Sequence, residues 1–256
     1  MSVEGVYAKL FERIRQIRTD EFALVSLSFK GRIFNRALEI GCGDGTQSIL
    51  LKEYCRELIS TDIDSRDISP ERLEEINFVP ADAASLPFEN DQFDLIYSSN
   101  VLEHIENIEE AIDEMNRVLK PDGIMIHVIP NTTWKFLQLV LWVPFRLKIL
   151  AAKLFGIKSQ TKSAGEFGSP KSEIETKSSR WCPPVHGVAE SHLEELMLFR
   201  VSHWKNLFQK KELIIEKSYG LMLYSAWNMG PNWLREFLSS VGLRSSHCFV
   251  LRKLKK

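Results

Sequence analysis

Cysteine is scarce and scattered. The four thiols, Cys42, Cys55, Cys182 and Cys248, form no CxxC pair. That excludes a disulfide scaffold and a cysteine-built zinc site, and it fits a reducing compartment. Long apolar runs are missing as well. The longest uncharged apolar stretch near the middle, Phe136 to Phe145, is about half of the roughly 20 residues that a spanning helix needs. The first twenty residues carry Glu4, Glu12 and Asp20 without a continuous apolar core, so no signal peptide is expected. No histidine and carboxylate group has metal-ligand spacing along the chain, so no metal is expected either. These absences describe a cytoplasmic chain, peripheral at most on the inner face of a membrane.

Acid is missing from the second half. The last aspartate is Asp122, and no acidic residue occurs between it and Glu166. Residues 1–130 hold 25 acidic and 13 basic side chains, whereas residues 131–256 hold 9 acidic and 20 basic ones, so a net charge of −1 hides two opposed halves. Either the basic half meets something anionic, or the two halves neutralise each other across an internal surface. With 256 residues and 44 % apolar content there is material for a sizeable core, which excludes collagen-like, coiled-coil and wholly disordered chains.

Residues 4–28 read as a helix, with Val6, Leu10, Ile14 and Ile17 at spacings of three to four. Short β-like runs then alternate with helical stretches: ALEIG (37–41), LIST (58–61), INFVPA (76–81), FDLIYS (93–98) and GIMIHVIP (123–130). The turn Lys120-Pro121-Asp122-Gly123 should stop a helix running from Ile108 to Leu119, whose Ile108, Ala111, Ile112, Met115, Val118 and Leu119 share one face. Strands alternating with helices predict an α/β fold with a mostly parallel sheet. Residues 158–180, rich in Ser, Lys, Thr and Gly, read as a mobile loop. A helix over Ala189–Lys210 and strands at Leu213–Lys217 and His247–Arg252 would complete the sheet. The expected organisation is an N-terminal helical cap (1–34), a ligand-binding core (35–130), a helical insertion with a loop (131–188) and a C-terminal part that closes the sheet (189–256).

The segment ALEIGCGDGT (37–46) carries the most chemistry. Gly41, Gly43 and Gly45 form G-x-G-x-G between a strand and a helix, where a ligand approaches the backbone too closely for a Cβ. The spacing differs from the GxGxxG of nicotinamide and flavin enzymes. Glu39, two residues before the first glycine, would repel a pyrophosphate but suits a ligand with an amino group and a sulfonium. Asp62 ends the second strand, where a carboxylate accepts from ribose hydroxyls. Asp82 follows the third strand and can accept from an exocyclic adenine amine. Asn100 follows the fourth and faces the same crevice. Each acid alone could be a solvated loop charge; their arrival at strand ends in this order points to one ligand.

In these residues the sequence resembles the class I S-adenosylmethionine-dependent methyltransferases, and most of all the branch acting on quinone rings and small molecules. The resemblance covers about residues 35–130 and includes ADAASLPFENDQFDLIYSSNVLEHIENIEEAIDEMNRVLKPDGIMI, residues 81–126. It implies a Rossmann-like seven-stranded, mostly parallel sheet with an antiparallel last strand at His247–Arg252, and S-adenosyl-L-methionine as cofactor. By the resemblance Glu39, Gly41, Cys42 and Gly43 would hold the methionyl end, Asp62 and Ile63 the ribose and adenine, and Asp82 and Ala83 the adenine ring. Asn100 would lie beside the sulfonium. The fourth strand ends Ser98-Ser99-Asn100-Val101 rather than Asn/Asp-Pro-Pro-Tyr, which points away from a DNA base as acceptor.

Residues 134–157, WKFLQLVLWVPFRLKILAAKLFGI, lie beyond the resemblance. On a helical projection Lys135, Arg146 and Lys153 fall within about 20° of each other, with apolar residues around the rest. Pro144 should divide the segment into two helices. An apolar surface edged by Lys and Arg suits an interfacial helix, and a buried lid with snorkelling lysines gives the same pattern. The leading expectation is a methyltransferase for a hydrophobic or lipid-linked small-molecule acceptor, taken from an anionic membrane surface through residues 131–157. The alternatives are a soluble-metabolite enzyme with 131–188 as lid, and a non-catalytic S-adenosylmethionine-binding regulator. An RNA substrate would suit the basic half, but no basic-aromatic stacking platform is evident. His186, in Pro183-Pro184-Val185-His186-Gly187, is the candidate general base for a hydroxyl acceptor, against the plainer reading of a structural loop histidine. His104 is expected to serve helix packing, and His127 to be buried in a strand.

Overall fold

The computed structural model describes residues 3–154, 182–224 and 232–254. Seven strands form one sheet: β1 Phe34–Ile40, β2 Cys55–Asp62, β3 Phe78–Pro80, β4 Phe93–Ser99, β5 Leu119–Pro130, β6 Leu213–Gly220 and β7 Ser246–Lys253. Their order is β3-β2-β1-β4-β5-β7-β6. Strands β1 to β5 pair in parallel, and β7 runs antiparallel to both β5 and β6. The seventh strand is therefore antiparallel, as the resemblance implies. The chain leaves β1 in one direction towards β3 and then crosses to β4 on the other side. The carboxyl ends of β1 and β4 thus flank a topological switch point, where open α/β sheets bind ligands.

The central strands are buried on both faces, which is why they read as nearly continuous apolar runs. Alternate side chains go to opposite layers. Leu38, Ile40, Ile96 and Met125 enter one core, beside Ile112 and Met115 of α4 (Ile108–Val118). Ala37, Leu95, Tyr97 and Ile126 enter the other, beside Phe22 and Val25 of α1 (Val3–Ser26). The buried face of α4 is the one its periodicity predicts. Helices α2 (Thr46–Lys52) and α3 (Pro70–Glu75) follow the first two strands.

Several boundaries differ from the sequence reading for physical reasons. The third strand is only Phe78–Pro80. Lys120–Gly123 do not separate α4 from β5; they loop out within β5, because Leu119 already pairs with Phe93 while Ile124 pairs with Leu95. The helix expected over 189–210 is two, α6 (His192–Leu198) and α7 (Val201–Lys210), broken where Phe199 turns inward to 2 % exposure. Pro144 does not split its segment: α5 runs unbroken over Thr132–Leu154 with the proline inside. Proline removes one helical hydrogen bond, and Trp142, Phe145 and Ile149, all buried, hold the flanking turns in place. A last helix, α8, spans Asn232–Ser240. The loop expected at 158–180 lies outside the described residues.

Candidate functional site

Beyond the carboxyl ends of β1, β2 and β4 lies an open cleft of about 1410 Å³. Its floor is the glycine turn after β1. Gly41 has φ +70°, and a Cβ there would overlap the side chain of Val101, from the turn after β4. That contact closes the switch point. Gly43 has φ +54° with open space where a Cβ would stand, so its backbone is bare to a ligand. The turn is pinned by Asp62, whose Oδ2 accepts from Gly43 N at 2.9 Å and Oδ1 from Ile63 N at 2.8 Å. A carboxylate has about four acceptor positions, so Asp62 keeps capacity for a ligand hydroxyl. Asp82 accepts from Ala84 N at 2.9 Å and is exposed. Asn100 adopts a left-handed φ of 57°, a conformation asparagine tolerates, and its backbone N–H donates to Val128 O.

The structure brings Gly41, Cys42, Gly43, Asp62, Ile63, Asp82, Ala83 and Asn100 to the wall of this one cleft. Ile63 is 77 % exposed there, an apolar plate of the kind a flat ring packs on. Burial pushes the Cys42 thiol up, so it stays protonated. Glu39 is the exception. It lies on the same strand face as Ala37, is 2 % exposed and turns beneath α2 rather than into the cleft. There its Oε2 accepts from Ser48 Oγ at 2.5 Å and Ser60 Oγ at 2.8 Å. Burial, opposed by those two hydroxyls, raises its carboxyl from 4.5 to about 7. Glu39 supports the glycine turn from below; it does not line the cleft.

The histidines also differ from expectation. His186 is not at the cleft wall, and its ring packs against His104 at 4.4 Å between centroids and against Trp134 at 4.9 Å. Burial lowers it to about 4, with Glu195 opposing and Lys135 assisting, so it is neutral at pH 7. His104 does pack, on the His186 ring, but it also lies on the cleft wall, because the short turn Leu102–His104 buries Leu102 and Glu103 and sets His104 there. His127 is buried as expected, bonded through Nδ1 to Ser98 Oγ at 2.8 Å, and burial lowers it to about 3.

Sequence reasoning missed the fourth wall, which is α1. Arg15 and Arg18 line the cleft, Arg15 at 3.2 Å from Asp44 and Arg18 at 2.6 Å from the buried Glu21. The Gln47 amide donates to Arg18 O at 3.0 Å, tying α1 to α2. The signal for α1 was its amphipathic period, but nothing local says which strand ends it covers. Lys135 was misjudged too. It is fully buried, with Nζ 2.6 Å from Glu195 of α6 and donating to Gln138, so it faces neither solvent nor headgroups.

S-adenosyl-L-methionine fits this lining. The open backbone at Gly43, the spare acceptors of Asp62 and Asp82, the Ile63 plate and two arginines match its amino acid, ribose, adenine and carboxylate.

The comparisons agree. Residues 38–127 match the family described as Methyltransferase domain. Arginine-hydroxylase NDUFAF5 of Danio rerio is 37 % identical over 98 residues, 37 % of this chain and 30 % of that protein. Demethylmenaquinone methyltransferase of Clavibacter sepedonicus is 32 % identical over 96 residues, 36 % of this chain and 39 % of that protein. The chain thus spans under two fifths of the length of these two relatives. Among solved structures, the N-methyltransferase NodS of Bradyrhizobium japonicum, in complex with S-adenosyl-L-homocysteine, shares the fold. Its TM-score is 0.51 at 16 % identity, covering 93 % of this chain and 87 % of that one. Residues 38–127 therefore match a methyltransferase domain, on the fold that solved S-adenosylmethionine-dependent methyltransferases share.

Proposed function

We propose that the chain is a methyltransferase that moves the methyl group of S-adenosylmethionine to a hydrophobic or lipid-linked small molecule, collected at an anionic lipid surface. The observation that carries the acceptor class is the outer face of α5. Phe136, Val140, Val143, Leu147, Leu150 and Leu154 recur at alternating spacings of four and three, and all are 46–71 % exposed. Lys148 is exposed beside them, and Arg146 stacks over Trp142 at 5.5 Å. Helix α5 packs on α1, and α1 forms a wall of the cleft, so an acceptor taken up along α5 is one helix away from the cofactor site. A quinone-ring substrate named for one relative agrees with such an acceptor. Among the described residues no helix is long and apolar enough to cross a membrane, so contact would be lateral.

The bound cofactor supplies a methyl group already activated on a sulfonium, and in-line placement of the acceptor then gives much of the rate. The chain's part is positional. Gly43 lets the ligand lie on bare backbone, Gly41 lets Val101 close against the turn, Asp62 and Asp82 fix the nucleoside, and Asn100 sets the edge at which the acceptor enters. Arg15 and Arg18 offer charge to a carboxylate.

The test is to incubate the protein with methyl-labelled S-adenosylmethionine and whole-cell extract, then partition the label. Protein-dependent label in the organic phase is expected, together with co-sedimentation on vesicles containing anionic lipid. Leu147→Asp with Leu150→Asp should abolish the co-sedimentation. Label confined to the aqueous phase would overturn the acceptor class and favour a soluble metabolite with 131–188 as lid. Cofactor binding without any transfer would favour a regulator.

A further inference from the structure

Behind the cleft wall three side chains from distant parts of the chain converge. Glu103 Oε1 lies 3.9 Å from His104 Nε2 and 3.9 Å from His186 Nε2. One ligand atom from each of the three lies within 4.8 Å of the others. Glu103 is 5 % exposed, and neither of its oxygens has a hydrogen bond among the described residues. A buried carboxylate without hydrogen bonds is costly, which asks what it is kept for. Its buried acidic neighbours are provided for: Glu21 has Arg18 at 2.6 Å and Glu195 has Lys135 at 2.6 Å. Among the described residues the ion-pair partners of Glu103 are the two imidazoles, each at 3.9 Å.

The backbone is shaped to make this meeting. Gly187 has φ +71°, and a Cβ there would overlap the carbonyl of Glu103. Val188 N donates to that same carbonyl at 3.1 Å. His186 is therefore locked against the Leu102–His104 turn by main-chain contact, and its own N–H is held by Glu195 Oε2 at 3.1 Å.

We propose that Glu103, His104 and His186 form a binding site for a divalent cation of mixed nitrogen and oxygen preference, such as zinc, manganese or ferrous iron. Two imidazoles and one carboxylate are the ligand set of both hydrolytic zinc and non-haem iron centres. A triangle with sides between the observed 3.9 and 4.8 Å places an atom at its centre about 2.3–2.5 Å from each corner, a few tenths beyond a zinc–nitrogen bond of about 2.0–2.1 Å. Small side-chain rotations close that gap. The sequence reading expected no metal because Glu103 and His186 are 83 positions apart; only the fold joins them. Since His104 also lines the cleft, the site adjoins the cofactor site. Resting on the methyltransferase reading above, an oxygen of the acceptor would bind there.

The experiment uses the full chain, reduced and stripped of metal, titrated with Co²⁺ and followed by visible absorbance. Expected is one equivalent of cobalt giving ligand-field bands without a thiolate charge-transfer band. Glu103→Gln and His186→Ala should each weaken binding by at least about 100-fold, more than outer partners of a site typically cost. His203→Ala should leave it unchanged. In the unaltered protein, proton NMR of the cobalt form should show two paramagnetically shifted imidazole N–H signals, a readout independent of how the variants fold. No stoichiometric binding, equal binding in the variants, or a cysteine charge-transfer band would overturn the site. None of these readouts involves methyl transfer, so a failed cation site leaves the methyltransferase reading standing, and the reverse.

Discussion

Replacing Glu39 with glutamine isolates the electrostatics beneath the glycine turn. The carboxyl rises from 4.5 to about 7 because burial outweighs the hydroxyls of Ser48 and Ser60. Between those two values the folded chain holds a proton that the unfolded chain has lost, so this residue's contribution is complete below about pH 4.5 and is lost as pH climbs through 7. At about 1.4 kcal/mol per tenfold, the loss between pH 5 and pH 8 is about 2–3 kcal/mol. Glutamine has the same shape, and its carbonyl oxygen can accept from both serines, but it does not titrate. Urea unfolding of both proteins at the two pH values supplies the assay, and all other titrations cancel in the comparison. Relative to the parent, Glu39→Gln should gain about 2–3 kcal/mol on going from pH 5 to pH 8. A stability difference that is the same at both pH values would refute the account, because Glu39 would then be ionised throughout.

Since Glu39 lies below the cleft and Asp62 on its wall, calorimetry with S-adenosyl-L-homocysteine should separate them. Asp62→Ala should weaken binding more than about tenfold, as loss of charge-assisted hydrogen bonds implies, and Glu39→Gln less than about threefold; the opposite ranking would reverse their roles. Gly41→Ala forces a Cβ into Val101 at a left-handed backbone, which costs about 1–2 kcal/mol for the backbone alone. Adding Val101→Ala should recover the overlap but not the backbone strain, as thermal unfolding would show. Lys135→Met leaves Glu195 charged and buried, so it should destabilise by about 3–5 kcal/mol, and Lys135→Met with Glu195→Leu should recover most of that. If the double variant were as unstable as the single, the ion pair would not be the cause.

Much of this molecule is written in local pattern. Strands that must be buried on both faces have little choice but apolar runs, so β1, β4 and β5 were visible, and α4 declared its buried face through the period of its side chains. The glycine turn, Asp62, Asp82 and Asn100 were legible because each follows a strand, and a parallel sheet brings all such ends to one edge. What the sequence could not decide is where a side chain points once neighbours compete for it. Glu39 reads as a ligand residue from its place in the motif, yet strand alternation sends it under α2 to two serines. Lys135 reads as a surface cation by helical phase, yet Glu195, 60 positions away, draws it into the interior. The meeting of Glu103, His104 and His186 needs Gly187 to bring two loops into main-chain contact. Contacts of that kind depend on tertiary packing, because their partners are distant along the chain and no local spacing records them.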